Sequence, residues 1–332
     1  MRKFIVIVVL FLGVFFVIFS FSEIENIVKT LKQGNLWFLG LALLIETAWF
    51  FTVGFTFKLI YHLLGLEESA RRLALVAVAA NFVNIVAPSA GVGGVALFIT
   101  DGRQRGHPSG KVTVAGALFL LIDYVAFLCV LGLGIIILAR RNNLGAGEIT
   151  ASLILLAIAC ALAFIIYLGY RSAETLGNLL ARMARIVNKV VRVFIHRDYL
   201  SEERAHLFAA EIGDGLSGLP EKPRSLFQPV LAALFNKILL MGVLVSAFLC
   251  FDVPFSAGTI IGGFSIGYLF LIVSPTPSGI GVVEGIMAIA LSSLRVDWSQ
   301  AVIITLAYRA VTFWLPLGVG AWAFRRLNLS TS

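Results

Sequence analysis

Five charged residues sit inside stretches of this chain that are otherwise apolar: Glu46, Asp123, Lys237, Glu284 and Arg309. A charge at the centre of a bilayer costs roughly 3 kcal/mol or more, so each must face protein, water or an opposite charge. Asp123 and Arg309 stand near the middle of two apolar runs, 112–138 and 300–323, at matching places in the two halves of the chain. Symmetry would bring such positions together, and a direct Asp123–Arg309 pair is expected. Glu46 and Lys237 occupy another equivalent pair of runs and could form a second ion pair. Asn81 and Asn84, three residues apart, share one helix face, and Asn236 adjoins Lys237. Together these residues predict a polar cavity at mid-depth, suited to binding an ionic head group.

Two broken-helix phrases flank that chemistry. The first is Pro88-Ser89-Ala90-Gly91-Val92-Gly93-Gly94-Val95, and the second is Pro277-Ser278-Gly279-Ile280-Gly281-Val282-Val283. Proline and glycine clusters interrupt helices. Irregular backbone at membrane depth is tolerated only where protein buries it or where it lines a cavity. Interrupted segments at corresponding places in two halves point to a transporter's substrate site. Each break starts a new helix whose free N–H groups can bind phosphate or carboxylate. Gly91, Gly93, Gly94, Gly279 and Gly281 would let a ligand approach the backbone, and Pro88, Pro275 and Pro277 enforce the breaks. Glu284, in the first turn after the second break, suits either a helix cap or a functional role. No strand precedes either phrase and no Lys-Ser/Thr follows, which excludes a nucleotide-binding glycine loop.

The elements that position these residues follow from hydropathy and charge. Of 332 residues, 59% are apolar and only 13% charged, where a soluble domain carries about a quarter. The chain is an all-α polytopic membrane protein. Its apolar runs are 4–21, 36–57, 73–100, 112–138, 149–170, 226–250, 257–294 and 300–323. The runs 73–100 and 257–294 contain the breaks and are expected to be re-entrant helical hairpins; the other six cross. Nineteen of the 26 Lys and Arg then fall on the cytoplasmic side and five outside, in accord with the positive-inside rule. That arrangement puts both termini in the cytoplasm and makes residues 4–138 and 149–323 repeats of opposite orientation. Leu131-Gly132-Leu133-Gly134 reappears as Leu317-Gly318-Val319-Gly320, a second phrase shared by the halves. The run 4–21 lacks a good small-residue cleavage site and reads as an uncleaved first span.

The linker 171–225 carries Arg182, Arg185, Lys189 and Arg192 at helical spacing beside an apolar face. That pattern suits a helix lying on the cytoplasmic leaflet and attracting anionic head groups. The net charge of +8 therefore reflects membrane topology, and no nucleic-acid partner is expected. Cys129, Cys160 and Cys250 lie in apolar runs and read as packing residues; His62, His107, His196 and His206 read as loop residues. None of them has metal-ligand spacing, so neither a metal nor a cofactor is expected.

The stretch Pro275-Thr276-Pro277-Ser278-Gly279-Ile280-Gly281-Val282-Val283-Glu284 resembles the P-x-P-x-G-x-G-x-x-E signature of the lysylphosphatidylglycerol synthase transmembrane region, the flippase-like domain family. The block from Asn81 to Gly94, followed by Arg103 and Gly106, is similar to its first signature. Many members carry an acidic residue just after the first Gly-Gly pair, where this chain has Val95. The resemblance implies a module that moves aminoacylated phosphatidylglycerol, or a related polyprenyl or glycolipid, between leaflets of the plasma membrane. It also implies that aminoacyl transfer belongs to a separate soluble domain, not expected here.

The leading expectation is thus a translocase for an anionic or aminoacylated phospholipid, working by alternating access and not an enzyme. Protonation of Asp123 or Glu284 is the candidate coupling step. The expected partners are the bilayer and the lipid, with further copies of the chain or a separate lipid-modifying enzyme as open alternatives. The competing readings are a membrane enzyme acting on a lipid-phosphate head group and an ion-coupled transporter of small solutes.

Overall fold

The computed structural model describes residues 34–86, 91–141, 144–195, 201–217 and 223–327. The expected first span at 4–21, Pro88 and His196 lie outside the described residues. All the regular structure described is helical. The helices are α1 (Leu36–Leu63), α2 (Ala70–Val86), α3 (Val92–Gln104), α4 (Ser109–Arg140), α5 (Ala146–Arg171), α6 (Ala173–Ile195), α7 (Glu202–Leu216), α8 (Phe227–Cys250), α9 (Ala257–Val273), α10 (Val282–Ser293), α11 (Trp298–Arg309) and α12 (Leu315–Arg326). A π-helical stretch, Ala310–Trp314, joins α11 to α12. Pro316 explains it: a proline cannot donate to the carbonyl one turn back, and the widened turn absorbs the lost bond. Among the described residues, five helices are long and apolar enough to cross a membrane: α1, α4, α5, α8 and the continuous rod Trp298–Arg326.

The two interrupted runs form pairs of shorter helices. In the second, α9 and α10 run antiparallel: a Cβ added at Gly267 would strike Met287, one at Gly263 would strike Leu291, and one at Gly262 would strike Leu294. The small-residue stripe of α9 is therefore a groove filled by α10. In the first, α2 and α3 meet where a Cβ on Gly94 would lie 2.9 Å from the Ala80 carbonyl.

Each pair packs on the last long helix of the other half. A Cβ on Gly134 of α4 would come 2.5 Å from Ser265 Cβ of α9, and Ser265 Oγ donates to the Val130 carbonyl at 3.3 Å. A Cβ on Gly320 of α12 would come 2.7 Å from Phe82 Cβ and 2.9 Å from the Val78 carbonyl of α2. The shared Leu-Gly-x-Gly phrase thus supplies two equivalent notches. Its last glycine admits a helix in each half, while Gly132 and Gly318 face open space.

Two apolar cores stack along the long helices. One surrounds Phe127, Leu244, Phe248, Phe264 and Met287; the other surrounds Phe57, Ile60, Leu73, Phe98 and Leu118. Glu46, Asp123 and Lys237 each fall where their helix passes from one core to the other.

The linker helices depart from the sequence expectation in one respect. A stripe of α6 comprising Leu176, Ala181, Ala184 and Asn188 is buried, and α6 packs on α7. Arg182, Arg185 and Lys189 are exposed beside the exposed Met183, Ile186 and Val187. The side chain of Arg192 lies outside the described residues. Two further readings are corrected. Cys129 and Cys160 lie on exposed helix faces, and only Cys250 is buried. His62 lies in the last turn of α1 and His206 within α7, so these two histidines are helical rather than in loops.

Ion pairs tie the short connections together. Arg72 meets Asp101 at 2.5 Å, and Arg105 pairs with Glu68. Burial pushes the Glu68 carboxyl up, but the Ser69 N–H, Arg105 and His107 outweigh it and hold the group below its usual range. Such a group adds stability above its unfolded pKa of about 4.3, and that stability is lost as pH falls through the lower folded value. Glu68→Gln should therefore flatten the acid limb of the unfolding curve, read as detergent-solubilised thermal stability between about pH 3 and pH 7.

Gly320→Ala should destabilise the fold by about 1–3 kcal/mol, because its Cβ meets backbone that cannot rotate away. Gly318→Ala should be neutral or stabilising by up to about 1 kcal/mol through helix propensity alone. Thermal unfolding of the two variants checks the pair.

Candidate functional site

A cavity of about 170 Å³ lies between the two broken runs. The first run contributes Asn81, Asn84, Gly91 and Gly94, and the second contributes Tyr268, Ser274, Thr276 and Ser278. Glu46 and Trp49 of α1, Asp123 and Tyr124 of α4, and Tyr308 of α11 complete its polar and aromatic wall. Both breaks therefore border one cavity, as the doubled phrase predicts.

The breaks are built to satisfy themselves. Gly91 precedes α3 with φ of 92°, a conformation open to glycine. The Gly94 N–H, three residues on, donates to Asn84 Oδ1 at 2.7 Å. In the second break, Pro277 opens a short turn, Pro277–Gly279, and Gly281 precedes α10 with φ of 77°. The Gly281 N–H donates to Glu284 Oε2 at 2.7 Å. One amide at each helix start is thus taken by a side chain of the chain itself, not left for an outside anion.

The charge pairs differ from expectation. Lys237 Nζ donates to Asp123 Oδ1 at 2.7 Å and to the Tyr268 hydroxyl at 2.8 Å, and lies 4.3 Å from that ring's centroid. Arg309 Nε donates to Glu284 Oε1 at 2.6 Å, and its Nη2 donates to the Ser278 carbonyl at 3.0 Å. The Asp123–Arg309 and Glu46–Lys237 pairs are therefore corrected to Asp123–Lys237 and Glu284–Arg309. The reason is distance along the helices. Glu284 follows the break that abuts α11, so it reaches Arg309 first, and α8 presents Lys237 to α4. Glu284 caps α10 with one oxygen and binds Arg309 with the other, and it does not line the cavity.

Arg309 also explains a strained backbone. Ser278 adopts φ of 47° and ψ of 28°, a left-handed conformation that costs a non-glycine residue about 1–3 kcal/mol. In that pose its carbonyl meets the guanidinium. Lys237 and Arg309 are each 1% exposed, and neither lines the cavity. Asn236 is also buried away from it, donating to Thr56 Oγ1 at 3.3 Å. Gly279 is buried against Leu271 and Val283, Pro275 is exposed at the bend, and Gly93 is not among the residues that line the space.

Sequence reasoning expected Glu46 in the cavity only as a partner of Lys237, and it did not name the lining residues Trp49, Tyr124, Tyr268 and Tyr308. Glu46 is 1% exposed, and its Oε2 has no hydrogen-bond partner among the described residues. The buried Trp49 Nε1 likewise has none. They lie three residues apart on one helix face, and both line the cavity. The sequence signal was the only acidic residue in the run 36–57.

Residues 4–320 match the family model described as lysylphosphatidylglycerol synthase TM region. The chain belongs to this family. No curated protein matches it. Family membership and the five long apolar helices make it a membrane-embedded, lipid-related protein. The cavity is lined by carboxyl and aromatic side chains: Glu46 and Asp123 are its two acidic residues, and no Lys or Arg lines it.

Asp123→Asn should leave Lys237 buried without a counter-charge and cost about 3–5 kcal/mol. Exchanging the partners (Asp123→Lys with Lys237→Asp) should recover part of that loss. Asp123→Arg combined with Arg309→Asp should recover none, because those residues are not paired. Thermal stability in detergent measures all three.

Proposed function

We propose that this protein moves a lipid with an ammonium-bearing head group, an aminoacylated phospholipid foremost, between leaflets without altering it chemically. The observation that carries this reading is the chemistry of the cavity wall. Its lining holds two carboxyl side chains, Glu46 and Asp123, and no Lys or Arg, and Trp49, Tyr124, Tyr268 and Tyr308 stand beside them. Carboxylates and aromatic faces together favour an organic cation. An anionic head group would need Lys237 or Arg309, and each of these is held by a carboxylate. The unpartnered Trp49 N–H adds a donor, which suits a ligand with a carbonyl near its ammonium, as an aminoacyl ester has.

In this reading the protein has six crossing helices and two re-entrant hairpins in an inverted repeat, rocking around the cavity by alternating access. Length supports the hairpins. The helices α2, α3, α9 and α10 have 17, 13, 17 and 12 residues, and a helix needs about 20 to cross. The reciprocal notches at Gly134 and Gly320 support the repeat. The exposed cations of α6 beside exposed apolar side chains support a helix lying at the cytoplasmic face of the plasma membrane.

Reconstituted protein should move acyl-labelled lysylphosphatidylglycerol at least about tenfold faster than phosphatidylglycerol, corresponding to about 1.4 kcal/mol of discrimination. Leaflet-specific quenching reads the movement, and mass spectrometry should find both lipids unchanged. Equal rates for the two lipids would overturn the head-group assignment, and a chemically altered lipid would overturn the transport reading.

A further inference from the structure

Glu46 is the intramembrane acid that the charge pairs leave over. It is 1% exposed, it lines the cavity, and its Oε2 has no partner among the described residues. The groups around it come from the described elements α8, α4, α11 and α2 and from the π-helical stretch Ala310–Trp314, whose Thr312 lines the cavity without a charge. From α8, Lys237 is engaged by Asp123 and Tyr268. From α4 come Asp123, already paired, and Tyr124. From α11 comes Tyr308, and Arg309 beside it is engaged by Glu284 and the Ser278 carbonyl. The residues that α2 brings to the cavity are Ala77, Ala80, Asn81 and Asn84, which carry no charge. None of these elements offers Glu46 a free cation.

We propose that Glu46 is a proton–ammonium exchange site: it holds a proton while the cavity is empty and gives it up when a cationic head group arrives. This inference rests on the ammonium-lipid reading above. A buried carboxyl without a counter-charge is far cheaper neutral than ionised. An ammonium entering the cavity supplies the missing counter-charge, so the carboxylate forms as the proton leaves for water. The two cations then compete for one site, and lipid moving one way exchanges for a proton moving the other. Asp123 and Glu284 do not fit this role, because each already has a cation within 2.7 Å.

The test uses the full chain in lightly buffered detergent. The probe is a dihexanoyl phosphatidylglycerol esterified with betaine, whose quaternary ammonium cannot itself titrate. Binding to the unaltered protein should release close to one proton per lipid, followed with a pH indicator dye. The affinity should rise about tenfold per pH unit while the empty site is protonated. Dihexanoyl phosphatidylglycerol without betaine should release none. Glu46→Gln, which mimics the protonated acid, should bind the probe at least tenfold more weakly, with no proton release and no pH dependence. Glu46→Asp keeps an ionisable group and should retain the release, which covers the case in which the glutamine variant fails to fold. Probe binding without proton release would overturn the exchange while leaving the ammonium-lipid reading standing. Undiminished release from Glu46→Gln would place the proton elsewhere and overturn the assignment. Failure of the unaltered protein to bind the probe would overturn the ammonium-lipid reading and the exchange with it.

Discussion

The cost of burying charge away from water governs how the centre of this protein is arranged. Four of its five mid-depth charges are resolved as two ion pairs, Asp123–Lys237 and Glu284–Arg309. Removing one partner of a buried pair costs more than the pair itself contributes, so the positions are locked together. Asp123–Lys237 ties the last helix of the first half to a long helix of the second. Glu284–Arg309 ties the second broken run to the π-kinked rod and, through the Ser278 carbonyl, holds a left-handed turn in place. Each cation also lies against an aromatic ring, Tyr268 or Phe313, which further lowers the cost of its burial.

The two halves share a backbone plan but not a charge plan. Gly134 and Gly320 do the same work in each half, opening a notch for the other half's broken run. Glu284 has no acidic counterpart in the first run, where Gly94 occupies the same third place after the capping glycine. The first break instead closes with a neutral amide, Asn84, on the Gly94 N–H. Arg309 is consequently claimed inside the second half, and no guanidinium is left for Glu46 on α1. The two carboxyl residues that line the cavity thus face no Lys or Arg in the same lining.

That character follows from what is paired rather than from what is present. Counting intramembrane residues by type, three acids and two bases would suggest near-neutrality. Once each base is bound to an acid and withdrawn behind the wall, the remaining lining is acidic and aromatic. Lys237 lies 2.7 Å from Asp123 and offsets most of its charge, so Glu46 is the lining acid with no opposite charge bonded to it among the described residues.

Much of this was legible in the sequence. Hydropathy alone identifies a helical membrane protein, since only helices and closed barrels satisfy the backbone in lipid. The proline and glycine phrases mark where helices must stop, and the structure describes helix ends at Val86 and Val273 and new starts at Val92 and Val282. Asn81, Asn84, Gly91, Gly94 and Asp123 all line one cavity, but helical spacing alone could group only Asn81 with Asn84. The sequence could not decide which charge meets which. Position along the chain gives approximate depth, but pairing depends on the azimuth of each helix and on how closely neighbours approach, and small glycine notches set both. For the same reason the state of Glu46 was hidden: a lone acid in an apolar run reads the same whether paired or free, and only the tertiary packing, by giving Lys237 to Asp123 and Arg309 to Glu284, left its Oε2 without a partner among the described residues.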